Sequence, residues 1–387
     1  MKDGLPQNIA DAFGTIKSPL QTGHPAGTVC VCMIVKDEAD KIYSAIKSAL
    51  LFADQIVIND TGSTDATLDI IKTFHANEGA KIQWYQTEWK DDFSAARNST
   101  LEKSCCAWNL WLDADDVVSP EMAAQIKILK SAPLDRAFSF TIKNTNQFGL
   151  PEAEFMQIRM FPNHPLIYFE RRIHEQSVYS IAKLGLYVVY TKIFLTHTGY
   201  DNPEKRKLKQ IRNLRLMAQE DGAKSDYSLL MAQGDSHYIL GNYKEGLNYF
   251  HSANKIENLD KINRDAYLTI PNRIANGYHL LNDYENARKW YIEAYKRFPD
   301  NIENVFQLGK VYETLENFEK AVECYNQVLK IPKLINSHVL RFDQCRLYAF
   351  HYATRLLMKM GRNRECLELL NVMRDLYPDY KLDSEGD

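Results

Sequence analysis

A chain of 387 residues has the length for roughly two to three domains with sizeable cores, and its formal charge of -3 gives no global basic field to draw in nucleic acid. Its seven cysteines (Cys30, Cys32, Cys105, Cys106, Cys324, Cys345 and Cys366) are odd in number and never spaced C-x-x-C. Neither a zinc ribbon nor a disulfide framework is therefore indicated, and the scatter fits a reducing, cytoplasmic setting. Residues 1–27 have no apolar signal-peptide core, and no run of about 18 apolar residues occurs, so no membrane span is expected.

Thr28 to Val35 (TVCVCMIV) is an almost unbroken apolar run, the pattern of a buried strand in a parallel sheet. Lys36-Asp37-Glu38 ends it. From Ala39 to Phe52, Ile42, Ala45, Ile46, Ala49 and Leu50 share one helical face. Gln55 to Asn59 predicts a second strand, followed by Asp60-Thr61-Gly62-Ser63-Thr64-Asp65. There Gly62 permits a tight turn, and Ser63 or Thr64 is placed to cap the helix carrying Leu68, Ile71 and Phe74. Ile82 to Tyr85 predicts a third strand, and Trp89 to Ser94 leads into a helix bearing Arg97 and Asn98. Trp108, Leu110, Trp111 and Leu112 predict a fourth strand that stops at Asp113-Ala114-Asp115-Asp116.

This alternation is a βαβ series, hence an open, Rossmann-like α/β sheet, mostly parallel, with right-handed crossovers. Asp37, Asp60, Asp92 and Asp113 all follow strands and would share one edge, where such sheets collect ligands. Clustered carboxylates at a buried strand end are costly unless a hard divalent cation sits among them. A solvated acidic turn is the plain alternative. No G-x-G-x-x-G and no P-loop motif is present, which disfavours dinucleotide and P-loop readings. After Pro120, Phe138/Phe140/Ile142, Ile158/Met160, Ile167/Phe169 and Tyr187 to Leu195 predict shorter, mixed or antiparallel strands.

VCMIVKDEAD, VINDTGSTDAT, WKDDFSAARN, WLDADD, RRIHEQ and HTGY, in this order, resemble a family 2 glycosyltransferase of the GT-A fold. The similar subset joins that domain to tetratricopeptide-like helices and includes sublancin-type S-glycosyltransferases. The resemblance covers about Thr28 to Asn213 and implies a nucleotide-sugar donor of the UDP-sugar type. It implies that Asp60 holds the base or ribose, that Lys36, Asp37 and Glu38 line the base pocket, and that Asp92 and Arg97 complete the nucleoside wall. Phe93 and Ser94 would shape the adjoining turn. Asp113 and Asp115 match D-x-D: Asp113 would meet the ribose or metal waters, and Asp115 would ligate Mn2+ or Mg2+ at the diphosphate. His197 is implied as a further metal ligand. Family 2 enzymes invert by single displacement, which needs a general base. Glu175 is chosen, with His174 orienting it or contacting the sugar, and Asp116 as runner-up. The plain alternatives are a surface salt bridge for Arg97, a loop-stabilising pair for His174–Glu175 and a core histidine at 197.

Six of the eleven residues Lys205 to Arg215 are basic, and Lys205, Lys209 and Arg212 share a helical face suited to a diphosphate or an anionic acceptor. A solvated helix is the simpler account of the run as a whole. Arg212 and Asn213 match the Arg-Asn of related enzymes, so Arg212 is carried over as a nucleotide-sugar contact. Without interleaved aromatics, the run does not indicate nucleic acid.

LGNYKEGLNYF, LNDYENARKWY and LENFEKAVECY repeat one pattern, with Tyr243, Tyr284 and Phe318 lying 41 and 34 residues apart. MGRNRECLELL is a fainter fourth copy. Pro299, Pro332 and Pro378 follow the second helix of their units. These resemble tetratricopeptide repeats, whose period is near 34 residues; the longer spacing implies a lengthened helix or loop. Such an array would hold a polypeptide acceptor or form a homodimer. The expected plan is an N-terminal extension (1–27), a GT-A domain (28–200), a linker helix (201–226) and all-α helical repeats (227–387). The expected activity is metal-dependent, inverting sugar transfer to a peptide, protein or glycan. The alternatives are an inactive interaction scaffold, or a nucleotidyltransferase, which the lack of a glycine-rich phosphate loop in V-K-D-E-A-D disfavours.

Overall fold

The computed structural model describes residues 19–145, 151–197, 203–220, 222, 225–332 and 342–376. The chain divides into two compact units, residues 1–223 and 224–387. The expected roles of Thr198, Gly199, Tyr200 and Pro378 fall outside the described residues, as does the side chain of Lys205.

The first unit is built on an eight-stranded sheet. Strands β1 (Val29–Val35), β2 (Gln55–Asp60), β3 (Ile82–Gln86) and β4 (Trp108–Trp111) form its parallel half. Strands β5 (Asp116–Val117), β6 (Arg136–Thr145), β7 (Pro151–Pro162) and β8 (Tyr187–His197) form a mixed half, in the overall order β3-β2-β1-β4-β7-β6-β8-β5. Apolar residues run unbroken along β1 because both faces are covered. Val29, Val31, Met33 and Val35 meet Ile42 and Ile46 of α1 (Ile42–Ala49) and Ile71 of α2 (Thr67–Glu78). Cys30 and Cys32 face the other way, into a cluster with Trp111, Phe169 and Leu101 of α3 (Phe93–Leu101).

Register then decides the site. Val35 pairs with Asp60, and Cys32 with Trp111, so the residues following β1, β2 and β4 leave the sheet along one edge. The remaining helices of this unit are α4 (Pro120–Leu129), α5 (Val178–Lys183) and α6 (Pro203–Met217). Leu216 and Met217 of α6 are fully buried.

Three expectations are corrected. Neither Ser63 nor Thr64 caps α2, whose N-cap is Ala66 without a side-chain bond; both are drawn instead to Asp37. Ile167 and Phe169 are buried but form no strand, because their segment is held by Asn98 and by an isolated Glu170–Gln176 bridge. The first helix is also shorter than the expected span of 39–52: residues 39–41 form a turn in which Glu38 O accepts from Lys41 and Ile42 N–H.

The second unit is a series of helical pairs: α7 (Tyr227–Ile239) with α8 (Tyr243–Asn254), α10 (Arg264–Leu280) with α11 (Tyr284–Arg297), α12 (Ile302–Thr314) with α13 (Phe318–Lys330), and α14 (Phe342–Lys359) with α15 (Asn363–Leu376). Each tight turn carries one left-handed residue: Gly241, Asn282, Glu316 or Gly361. The following N–H then reaches back to the first helix, as in Asn242 N–H to His237 O and Asp283 N–H to Tyr278 O, which closes the helix end. The 41-residue spacing is explained by an inserted turn of helix, α9 (Leu259–Ile262), and by the 17 residues of α10 against 13 in α7 and α12. Close approach needs small residues: a Cβ at Gly309 would lie 2.7 Å from the Tyr325 ring. No helix among the described residues is long and apolar enough to cross a membrane.

Candidate active site

Asp60 closes β2 and is 1% exposed. Its Oδ1 accepts from the backbone N–H of Gly62 (3.0 Å) and Ser63 (2.9 Å), with Gln86 Nε2 at 3.3 Å. Gly62 makes this turn at φ 103°, a conformation other residues rarely adopt. Oδ2 is buried without a hydrogen-bond partner. One oxygen therefore builds the loop and the other faces unmet demand.

The β1 exit is laced to this loop. Asp37 N–H donates to Ser63 Oγ, and Asp37 Oδ1 accepts from Thr64 N–H at 2.7 Å. Glu38 N–H donates to Thr67 Oγ1 at 2.8 Å. Asp37 thus acts here as a brace, and Lys36 beside it is exposed. Burial, and then the charge of Asp115, push the Glu38 carboxyl up to about 7, with Lys41 and Lys209 opposing.

After β4 the chain turns so that Asp113 N–H donates to Asp116 Oδ2 at 3.0 Å. Asp116 begins β5, where it pairs with His197, the last residue of β8. His197 Nδ1 lies 2.9 Å from Asp116 Oδ1 and 3.3 Å from Asp115 Oδ1. Asp116 is completely buried, and Arg159 Nη1 donates to its Oδ2 at 2.9 Å. Both of its oxygens thus face a neighbouring cationic or imidazole nitrogen.

Two arginines balance these charges. Arg97 of α3 is 5% exposed and donates through Nη2 to Asp113 (2.7 Å) and through Nε to Glu175 (2.6 Å). It is therefore not a surface ion pair. Arg159 of β7 lies 3.6 Å from the Trp111 ring centroid, and Arg97 lies 4.2 Å from it. Although burial alone would raise it, Arg97 and Arg159 hold the Asp113 carboxyl well below the usual carboxylate range. Asp115 goes the other way: burial, and then Asp113 and Asp116, raise its carboxyl despite His197. His197 is raised by Asp116 and Asp115 against the desolvation that lowers it.

Asp113, Asp115, Asp116 and His197 can each bring a ligating atom to within 4.8 Å of the others. Oxygen donors predominate, three carboxylates beside one imidazole. That chemistry fits a hard divalent cation such as Mn2+ or Mg2+.

Glu175 sits in a loop closed by paired backbone hydrogen bonds between Glu170 and Gln176, both 3.1 Å. Arg171 and His174 both take left-handed conformations there (φ 79° and 53°). The Arg172 carbonyl accepts from Phe93 N–H at 2.8 Å, which ties the loop to α3. His174 itself is exposed. Asp92 is the N-cap of α3, its Oδ1 accepting from Ala95 N–H (2.9 Å) and Ser94 Oγ (2.8 Å).

Helix α6 contributes from outside the sheet. Arg212 lies 5.1 Å from the Phe93 ring centroid, keeps a buried Nε without a partner, and feels the charge of Glu175. Arg215 pairs with Asp91 at 2.7 Å, while Leu208 and Ile211 are exposed. Sequence reasoning missed Arg159. Its signal was one charged residue within the apolar Ile158 to Phe161 run.

The glycosyl transferase family 2 model matches residues 30–175, and a tetratricopeptide repeat model matches residues 266–333. A TPR repeat-containing protein of Synechococcus elongatus is 34% identical over 153 residues, 40% of this chain and 36% of that protein. The SPbeta prophage-derived glycosyltransferase SunS of Bacillus subtilis is 28% identical over 195 residues, 49% of this chain and 44% of its own length. The chain thus spans less than half the length of these relatives. Among solved structures, S. aureus TarS 1-349 is similar with 16% identity and a TM-score of 0.39, covering 70% of this chain and 91% of that one. Residues 30–175 are thus similar to glycosyl transferase family 2, and residues 266–333, C-terminal to them, to tetratricopeptide repeats.

Proposed function

We propose that the first unit moves a sugar from a nucleotide-sugar, of the UDP-sugar type, to an acceptor with inversion, and that it depends on Mn2+ or Mg2+. The observation that carries this is the convergence of Asp113, Asp115, Asp116 and His197, linked through Arg97 to Glu175. The orphaned Asp60 Oδ2 suits a ribose hydroxyl or an imide N–H such as that of uracil. Asp115, Asp113 and His197 would hold the cation, with Asp116 fixing the His197 ring from behind. When bound, the cation supplies charge stabilisation to the departing diphosphate. Arg212, with its unpartnered buried Nε, and Lys209 add positive charge at the same place.

Glu175 takes the acceptor proton, and Arg97 holds it in register with Asp113. In this reading residues 28–200 perform the chemistry in the cytoplasm. The repeats from 227 onward recruit the acceptor or a second subunit. A thermal-shift panel of UDP-, GDP- and dTDP-sugars with and without Mn2+ tests the assignment. UDP-type donors should stabilise the protein only with metal, and Asp115→Ala should remove that dependence. A metal-independent shift surviving Asp115→Ala overturns it.

A further inference from the structure

Arg159 has no task in the transfer proposed above, yet it is 1% exposed and lies against the carboxylate cluster. The sheet itself puts it there. Leu110 pairs with Met160 across the antiparallel strands β4 and β7, so Trp111 and Arg159 come next along the two strands. On the other side of β7, Met160 pairs with Phe138 and Ile158 with Ser139. Successive residues of β6 thus face residues of β7 that are two apart, and Arg159 is the extra residue of a β-bulge. Bulges recur beside active sites because they re-aim one side chain.

The guanidinium aimed in this way meets several groups at once. It lies over the Trp111 ring, 3.6 Å from the centroid. Nη1 donates to Asp116 Oδ2 at 2.9 Å and to the Trp111 carbonyl oxygen at 3.3 Å, and Nη2 is 3.6 Å from Asp113 Oδ2. A planar fork can stack and bond together, whereas a lysine ammonium is a point charge on a flexible stem. Asp116 Oδ1, the oxygen that Arg159 leaves, lies 2.9 Å from His197 Nδ1.

We propose that Arg159 is a positioning residue for the cation site: by holding Asp116 it fixes the His197 ring, and so sets how tightly the centre takes Mn2+ or Mg2+. The inference rests on the proposed metal dependence. A ligating imidazole keeps its orientation through a hydrogen-bond partner, and loss of that partner weakens metal binding. Asp116 is the partner here, and its carboxylate is held by Arg159 Nη1 and the Asp113 N–H, which both meet Oδ2. Arg159 is itself a cation and cannot ligate one, so its effect passes through Asp116.

The test titrates the full chain with Mn2+ alone, by calorimetry, in the wild type, Arg159→Lys, Asp116→Asn and the double variant, with folding checked by circular dichroism. Arg159→Lys keeps the charge and loses the fork; it should bind Mn2+ about 10-fold more weakly. Asp116→Asn should weaken binding at least as much, and the double variant should be no weaker than Asp116→Asn, because the two residues act in series. With Co2+ in place of Mn2+, the visible bands of Arg159→Lys should shift, since the ligand arrangement changes; a merely structural role would leave them as they are. Should Asp116→Asn fail to fold, that spectrum decides alone. Wild-type Mn2+ affinity in Arg159→Lys, losses that multiply in the double variant, or an unchanged Co2+ spectrum overturns the inference. A wild-type chain that binds no Mn2+ would instead sink the metal-dependent reading itself.

Discussion

The two units solve the problem of burial differently. Among the described residues, buried charge is confined to the first unit: Asp60, Arg97, Asp116, Arg159 and His197. The second unit buries Tyr291 and Tyr325, the latter against Gly309, and its buried polar side chains among the described residues are neutral: Gln233, Ser236, Asn304 and Thr354. A repeat array gains stability from nearest-neighbour packing and has no need of buried ions. Burying an ion pair is at best neutral for folding. Its concentration at one sheet edge is what a charged ligand requires.

That contrast can be broken at several points. The largest effect is expected from Asp115→Ala, which should lower sugar transfer by about 10²–10³-fold and abolish Mn2+ binding measured by calorimetry, with little change in folding. Next, Arg97→Met strands Asp113 and Glu175 without their shared cation. Denaturant unfolding should show the first unit about 3–5 kcal/mol less stable. Asp113 is held below the usual range, so its stabilising share is present above its unfolded value and is lost as pH falls through the folded one. In Arg97→Met that acid-side loss should shrink.

In the second unit, Gly309→Ala pushes a methyl against Tyr325 and should cost about 1–3 kcal/mol. Donor-induced thermal shifts of the first unit should not change. A smaller effect is expected at Asp60→Asn, where the turn can persist while the second acceptor oxygen is lost; the donor KM should rise about tenfold, near the value of one hydrogen bond to a charged group. The smallest is a pH slope. Glu38 is raised to about 7, so the folded state binds more protons than the unfolded one, and stability should fall as pH climbs from the ordinary carboxylate range toward 7. Saturating Mn2+ should flatten that slope in a thermal scan.

Much of the first unit could be read from residue order. The apolar runs of β1, β2 and β4, each ending in polar residues, specify buried parallel strands with Asp60 and Asp113 at a common edge. Arg159 could not be found that way, because its partners Asp113 and Asp116 lie across the antiparallel β4–β7 pairing and more than forty residues away. Proximity in the chain likewise does not reveal that Arg159 and His197 close over both oxygens of Asp116. Ile167 and Phe169 alternate like a strand, yet Asn98 takes the Phe169 backbone groups a sheet would use.

Local pattern alone determined the two architectures, because hydrophobic period and turn residues act within a few positions of themselves. It determined too which carboxylates emerge from the sheet. Only the tertiary structure decided their settings: Asp60 with one oxygen unmet, Asp115 beside His197, Asp116 enclosed, Glu175 joined to Asp113 through Arg97. Electrostatic interaction depends on distance and desolvation, and both are set by segments that meet only once the chain is folded.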